Sequence, residues 1–142
     1  MSFSGSTEDM IAVRNLIDAY GDAVIRRDLD AFGACWHEDA VWEYEAGIFA
    51  GKENILKQWK FIHDGSHGVR GVDTRFFSST PGAINLSHAA GAGLTYICIR
   101  SHDAESDEHI SYYGVYHDEW VKASERWLFK CRRFKQLYSY CH

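Results

Sequence analysis

Apolar residues recur at helical spacing early in the chain and at alternating spacing through most of the rest. Ile11, Val13, Leu16, Ile17, Tyr20 and Val24 fall on one stripe of a 3.6-residue period, with Asp18, Asp22 and Arg26 on the other side. Ser6 or Thr7, followed by Glu8 and Asp9, supplies the start of this predicted helix: a hydroxyl accepts from the free amides of a first turn, and acids suit its positive dipole end. Asp28 predicts the cap of a second, short helix bearing Leu29, Phe32 and Trp36. His37, Glu38 and Asp39 break the pattern before a predicted strand at 41–45, where Trp42 and Tyr44 alternate with Glu43 and Glu45. Gly47 and Gly51 bracket a connection holding Ile48 and Phe49. Residues 52–63 predict a third helix, striped by Ile55, Trp59 and Ile62 and ended by Asp64, Gly65 and Ser66.

Everything beyond is β in character. Turn signals stand at Ser79-Thr80-Pro81-Gly82, around Ser87-His88, at 103–107 and at 123–125. The predicted strands are 68–78, 83–86 continuing through 90–101, 109–121 and 126–138. Helices first and then long strands joined as hairpins is the order of an α+β domain, with 1–142 forming one domain. An antiparallel sheet has one face to bury, and three helices are available to cover it. A twisted sheet wrapped on a helix leaves a cavity at its open end, where small-molecule sites tend to lie.

Composition narrows the function. Aromatics make up 15% of the chain, including five Trp and eight Tyr, so an aromatic-rich interior is expected. A net charge of -5 argues against nucleic acid as a partner, because phosphate binding needs a basic patch. No apolar run approaches the ~20 residues of a membrane span, and the first ten residues lack the basic start and apolar stretch of a secretory signal. The four cysteines, at 35, 98, 131 and 141, form no CxxC pair. They read as free thiols of a reducing, cytoplasmic setting, with Cys35, Cys98 and Cys131 as small core residues.

The N-terminal helix, then RRDLDAFGACWHEDAVWEY, FAGKENI and YYGVYHDEWVKASERWLFKCRRF, together resemble the SnoaL-like branch of the nuclear-transport-factor-2-like superfamily, which includes scytalone dehydratase, lindane dehydrochlorinase and polyketide cyclases. The resemblance spans nearly the whole chain and rests on the order and separation of individually weak motifs. It implies a cone-shaped, cystatin-like fold, three helices on a curved antiparallel sheet, assembled as a homodimer or homotrimer. It further implies a small-molecule enzyme of lyase, isomerase or cyclase type that needs no cofactor and acts on an aromatic or polyketide-like substrate.

In the dehydratase and dehydrochlorinase members, a histidine after the third helix pairs with an aspartate late in the first, and tyrosines assist. By that resemblance His67 is the catalytic histidine, Tyr44 the tyrosine of the first strand and Tyr116 the pocket-facing tyrosine of the penultimate strand. Arg132 resembles the arginine five residues past the tryptophan. Tyr20, Ile25, Trp42, Tyr112 and Arg132 are expected to contact substrate. One position departs from the family pattern V-D-x-x-D-x-D: this chain reads Val24-Ile25-Arg26-Arg27-Asp28-Leu29-Asp30, which sets Ile25 in the aspartate's place.

Those residue types suit proton abstraction. An unperturbed imidazole titrates near ~6.5, close to working pH, and a carboxylate partner would fix its tautomer. Asp22, one turn back, and Asp73, of equal strand parity to His67, are the alternatives to the missing acid. Tyr44 and Tyr116 offer hydroxyl donors to a carbonyl or phenol. Arg132 and Arg133 are adjacent, so alternation turns one inward and one outward; parity leaves open which, and the resemblance favours Arg132. His63 and His67 stand at i, i+4, but Gly65 and Ser66 interrupt any helix between them and no third ligand is evident, so no metal is expected. On the 109–121 strand, Ile110, Tyr112, Gly114 and Tyr116 should line the concave face, with Val115 and Val121 opposite. Apolar residues on both faces predict a homo-oligomer through the sheet. The alternative to an enzyme is a non-catalytic small-molecule binder on the same fold, motivated by Ile25; a third reading is an accessory subunit.

Overall fold

The structure, a computed structural model, describes residues 3–64 and 71–141. Helix α1 spans Thr7–Arg26, α2 Leu29–Ala34 and α3 Lys52–Asp64. The strands are β1 (Trp36–Tyr44), β2 (Gly47–Ala50), β3 (Val72–Leu86), β4 (Ala90–Asp103), β5 (Glu108–Ala123) and β6 (Arg126–Cys141). They form one six-stranded sheet in the order β2-β1-β6-β5-β4-β3. Every pairing is antiparallel except β1 with β6. This is the α+β, cystatin-like architecture, with the helices N-terminal and packed on a curved sheet.

Local chemistry sets the helix ends. Ser6 accepts from the Asp9 amide at 3.1 Å, and Asp28 accepts from the Ala31 amide at 3.0 Å. Arg27 closes α1 in the left-handed region (φ 57), its amide reaching Ala23 and Val24 carbonyls. That conformation costs a non-glycine residue roughly 1–2 kcal/mol, but here it aims the Arg27 guanidinium at the His63 carbonyl (2.9 Å) and the Val72 carbonyl (3.4 Å). One side chain thus ties the end of α1 to the end of α3 and the start of β3.

Three sequence expectations are corrected. The first strand begins at Trp36 rather than 41, so His37, Glu38 and Asp39 lie within β1, where its register to β6 shifts. Residues 47–50, read as a connection, form β2. Pro81 and Gly82 make no turn, because β3 runs through them to Leu86 and the chain reverses at 87–89 instead. β3 is an edge strand, where proline is tolerated, and a register shift between Pro81 and Ile84 absorbs the irregularity.

The core is aromatic. Tyr20 packs against Phe32, Trp36, Phe77, Tyr116 and Phe129, and Phe32 stacks on Trp59 at 4.3 Å and 8°. Further register shifts in β3–β4 and β5–β6 mark bulges, which bend a strand and raise its twist. Between the bent sheet and the helices the packing stops short of filling the space.

Candidate active site

The unfilled space is a cavity of about 320 Å³ walled by α1, α3 and strands β1 and β3 to β6. Tyr20 and Val24 come from α1, Trp59, Ile62 and His63 from α3, and Trp42 and Tyr44 from β1. Tyr112 and Tyr116 project from β5, with Phe77, Ile99 and Phe134 closing the walls. Polar groups interrupt this apolar lining at a few points: Glu45, the Thr74–Ser101 hydroxyl pair (3.4 Å), and Gln136.

Alternation explains most of these positions. Trp42 and Tyr44 share one face of β1, Tyr112 and Tyr116 one face of β5, and Ile97, Ile99 and Ser101 one face of β4. Gly114, on that same β5 face, leaves room for Phe134: a Cβ there would lie 2.3 Å from the phenyl ring.

The tyrosine hydroxyls are held from behind. Gln58 Nε2 donates to the Tyr44 oxygen at 2.6 Å, leaving the Tyr44 proton to point elsewhere. Burial raises the Tyr44 pKa, and the Gln58 hydrogen bond works against it. Burial likewise raises Tyr116, while the Arg132 guanidinium and the Tyr20 hydroxyl pull it down. The indole N–H of Trp42 approaches the Tyr116 hydroxyl without completing a hydrogen bond and remains an unpartnered donor among the described residues. Tyr112 is raised by burial and then by the negative charge of Glu45.

Arg132 turns inward and Arg133 outward. Arg132 is 0% exposed and is not among the residues that line the cavity. Its Nε and Nη2 donate to the Asp118 carboxylate at 2.8 and 3.1 Å, and Thr95 donates to the same carboxylate at 2.7 Å. The guanidinium lies 3.8 Å from the Tyr116 ring centroid, 4.2 Å from Phe129 and 4.4 Å from Tyr20. It supports two cavity tyrosines from beneath through their π-faces.

Ile25 is 39% exposed on α1, and Val24 and Tyr20 supply that helix's share of the wall. Asp22 is exposed and paired with Arg26, and Asp73 pairs with Arg75 at 3.3 Å and Arg27 at 3.9 Å. His67 lies outside the described residues. The cavity therefore gathers Tyr20, Trp42, Tyr44, Tyr112 and Tyr116, and leaves out Ile25 and Arg132.

From the sequence His63 was weighed only as half of a metal-binding pair, and Glu45, Gln58 and Asp118 were given no role in the site. His63 carried a signal, since it stands four residues after Trp59 on the buried stripe of α3. Gln58 and Asp118 carried none, because each acts through a partner distant in sequence. Among the described residues no cluster of three or more His, Cys, Asp or Glu is placed to hold a metal. No helix among them is long and apolar enough to cross a membrane.

The SnoaL-like domain pattern matches residues 5–133. The chain belongs to the SnoaL-like family. Solved structures agree on the fold. A hexachlorocyclohexane dehydrochlorinase (LinA) Type2 superposes with a TM-score of 0.83 at 19% identity, covering 95% of this chain and 89% of that one. A candidate scytalone dehydratase from Novosphingobium aromaticivorans gives 0.77 at 17% identity, with 93% and 86% covered. The LinA-type3 dehydrochlorinase from Novosphingobium barchaimii gives 0.74 at 17%, with 95% and 90% covered. No curated protein sequence matches the chain.

Proposed function

We propose that this SnoaL-like protein is a cofactor-independent enzyme of lyase, isomerase or cyclase type. It takes a small, ring-containing, aromatic or polyketide-like molecule and removes a proton from carbon. The observation that carries the reading is the cavity itself: an aromatic-walled space of about 320 Å³ into which an imidazole and several tyrosines face. Such a space desolvates a neutral ring, and the directed hydroxyls of Tyr44 and Tyr116 are suited to a carbonyl or phenol oxygen that gains charge during reaction. The proton acceptor is a histidine ending or following α3, His67 being the one the family resemblance selects. The dehydrochlorinase and dehydratase neighbours, both eliminating enzymes by name, fit this reading.

The test uses hexachlorocyclohexane and cyclic hydroxyketones as probes, with consumption followed by mass spectrometry. Turnover of at least one probe is expected, reduced roughly 100-fold by Tyr44→Phe or Tyr116→Phe. Probes that bind and are never consumed would overturn the enzymatic reading. That outcome favours the second reading, a non-catalytic binding protein, which draws on the apolar Ile25 in the family's aspartate position and on Glu45 being the one carboxylate lining the cavity among the described residues. The proposal includes a cytoplasmic location, in keeping with four free cysteines, and a homodimer or homotrimer joined through the outer face of the sheet.

A further inference from the structure

We infer that His63 is the cavity's proton acceptor, presenting an unprotonated Nε2 to the substrate. This rests on the enzymatic reading of the cavity and assigns its base. Nδ1 of His63 lies 2.9 Å from the Val72 carbonyl oxygen. A carbonyl only accepts, so Nδ1 carries the proton, and in the neutral ring the lone pair is then on Nε2. Nε2 makes no hydrogen bond among the described residues, and the ring lines the cavity.

The ring is also held still. Trp59, one turn earlier on α3, meets it edge-on at 4.4 Å and 67°, and Arg27 grips the His63 carbonyl at 2.9 Å. Burial keeps the ring neutral, its pKa moved below the usual 6.5, and the Arg27 charge acts in the same sense. The Val72 contact, Asp64 and Asp73 act in the opposite sense; the last two can stabilise an imidazolium formed during turnover. Glu45 and the tyrosines at 20, 44, 112 and 116 are the other titratable groups facing the same space. A base that is neutral at working pH, beside an apolar surface that desolvates the substrate, needs no aspartate in contact to begin proton transfer. This makes an isoleucine at position 25 compatible with catalysis.

A probe that requires only a base in an apolar site tests this without the natural substrate. With 5-nitrobenzisoxazole, Nε2 takes the proton on the ring carbon, and the C–H electron pair completes a nitrile. The N–O bond breaks and its pair leaves on a phenolate oxygen, which a cavity tyrosine receives by hydrogen bond. Wild-type protein should accelerate the reaction beyond free imidazole, with the rate falling at acid pH through an ionisation below 6.5. His63→Gln, which keeps a donor for Val72, should reduce the rate roughly 100-fold, and the exposed His88→Gln should leave it unchanged. Long-range proton–nitrogen NMR on the wild type should show His63 protonated at Nδ1 and bare at Nε2 near neutral pH. No acceleration by the wild type, full activity in a folded His63→Gln, or a protonated Nε2 would each overturn the assignment. Activity lost in His67→Gln and kept in His63→Gln would overturn it too, while leaving the enzymatic reading in place.

Discussion

A single histidine links the site to the stability of the fold. His63 has its pKa lowered by burial, so the unfolded chain, with an ordinary value near 6.5, binds the proton more readily than the folded one. The stability contributed by the neutral ring is therefore complete above pH 6.5 and is lost as pH falls through and below it. Urea midpoints measured from pH 8 to 5 should decline in that window for the wild type and stay flatter for His63→Gln. A separate decline belongs at lower pH. Asp9, Asp28, Asp64 and Asp107 are held below the usual 3.8 by their hydrogen-bond and charge partners, so what they contribute is present above 3.8 and is lost as pH falls through their lowered values. Equal pH slopes for wild type and variant between pH 8 and 5 would contradict the burial of a neutral ring.

Among the elements, β4, β5 and β6 are joined by side chains as well as by their ladders. Thr95, Asp118 and Arg132 sit on the three neighbouring strands and form one sealed network, with both members of the ion pair inaccessible to solvent. Removing one member strands a buried charge, so Asp118→Ala should destabilise the fold by about 3–5 kcal/mol in urea unfolding. A loss within the ~1 kcal/mol of a surface pair would show that Arg132 finds other compensation. The family resemblance singled out Arg132 as a substrate contact, and nothing local in the sequence shows the carboxylate that holds it. Asp118 stands fourteen residues away, and only the β5–β6 register places it opposite. Pro81 misled for a similar reason: a turn residue in isolation, it is harmless on an edge strand, and edge position is a property of the assembled sheet. The helices were legible because caps and stripes are local, as Ser6 with Asp9 and Asp28 with Ala31 bear out.

On the scale of the whole molecule, the alternation that lined the cavity also left an aromatic outer face. Tyr112 and Tyr116 face the cavity, while Tyr113 stacks on Tyr138 at 4.7 Å and Tyr96 and Tyr138 stay exposed. Contiguous exposed aromatics on a sheet favour a protein partner, and the proposed partner is a second copy of the chain. Light scattering at micromolar concentration should give two or three times the 16.2 kDa chain mass, and Tyr138→Lys should lower it. A monomeric mass for the wild type would remove the oligomer from the account. The cavity itself was legible as strand parity plus an amphipathic helix. Its proposed base was harder to assign, because His63 and His67 stand only four residues apart in the sequence and it is the Val72 carbonyl that supports the first.

The cavity's ability to take up a small ring is the claim on which the rest depends, and an NMR titration with acetophenone tests it most directly. Trp42 carries a spare indole N–H at the cavity wall, whereas the Trp127 indole donates to Asp9 at 2.9 Å and lies outside it. Saturable shifts of the Trp42 and Trp59 indole signals and of the His63 ring, with Trp127 unmoved, are the expected result. Shifts that never saturate, or that appear on exposed side chains while Trp42 stays still, would contradict it.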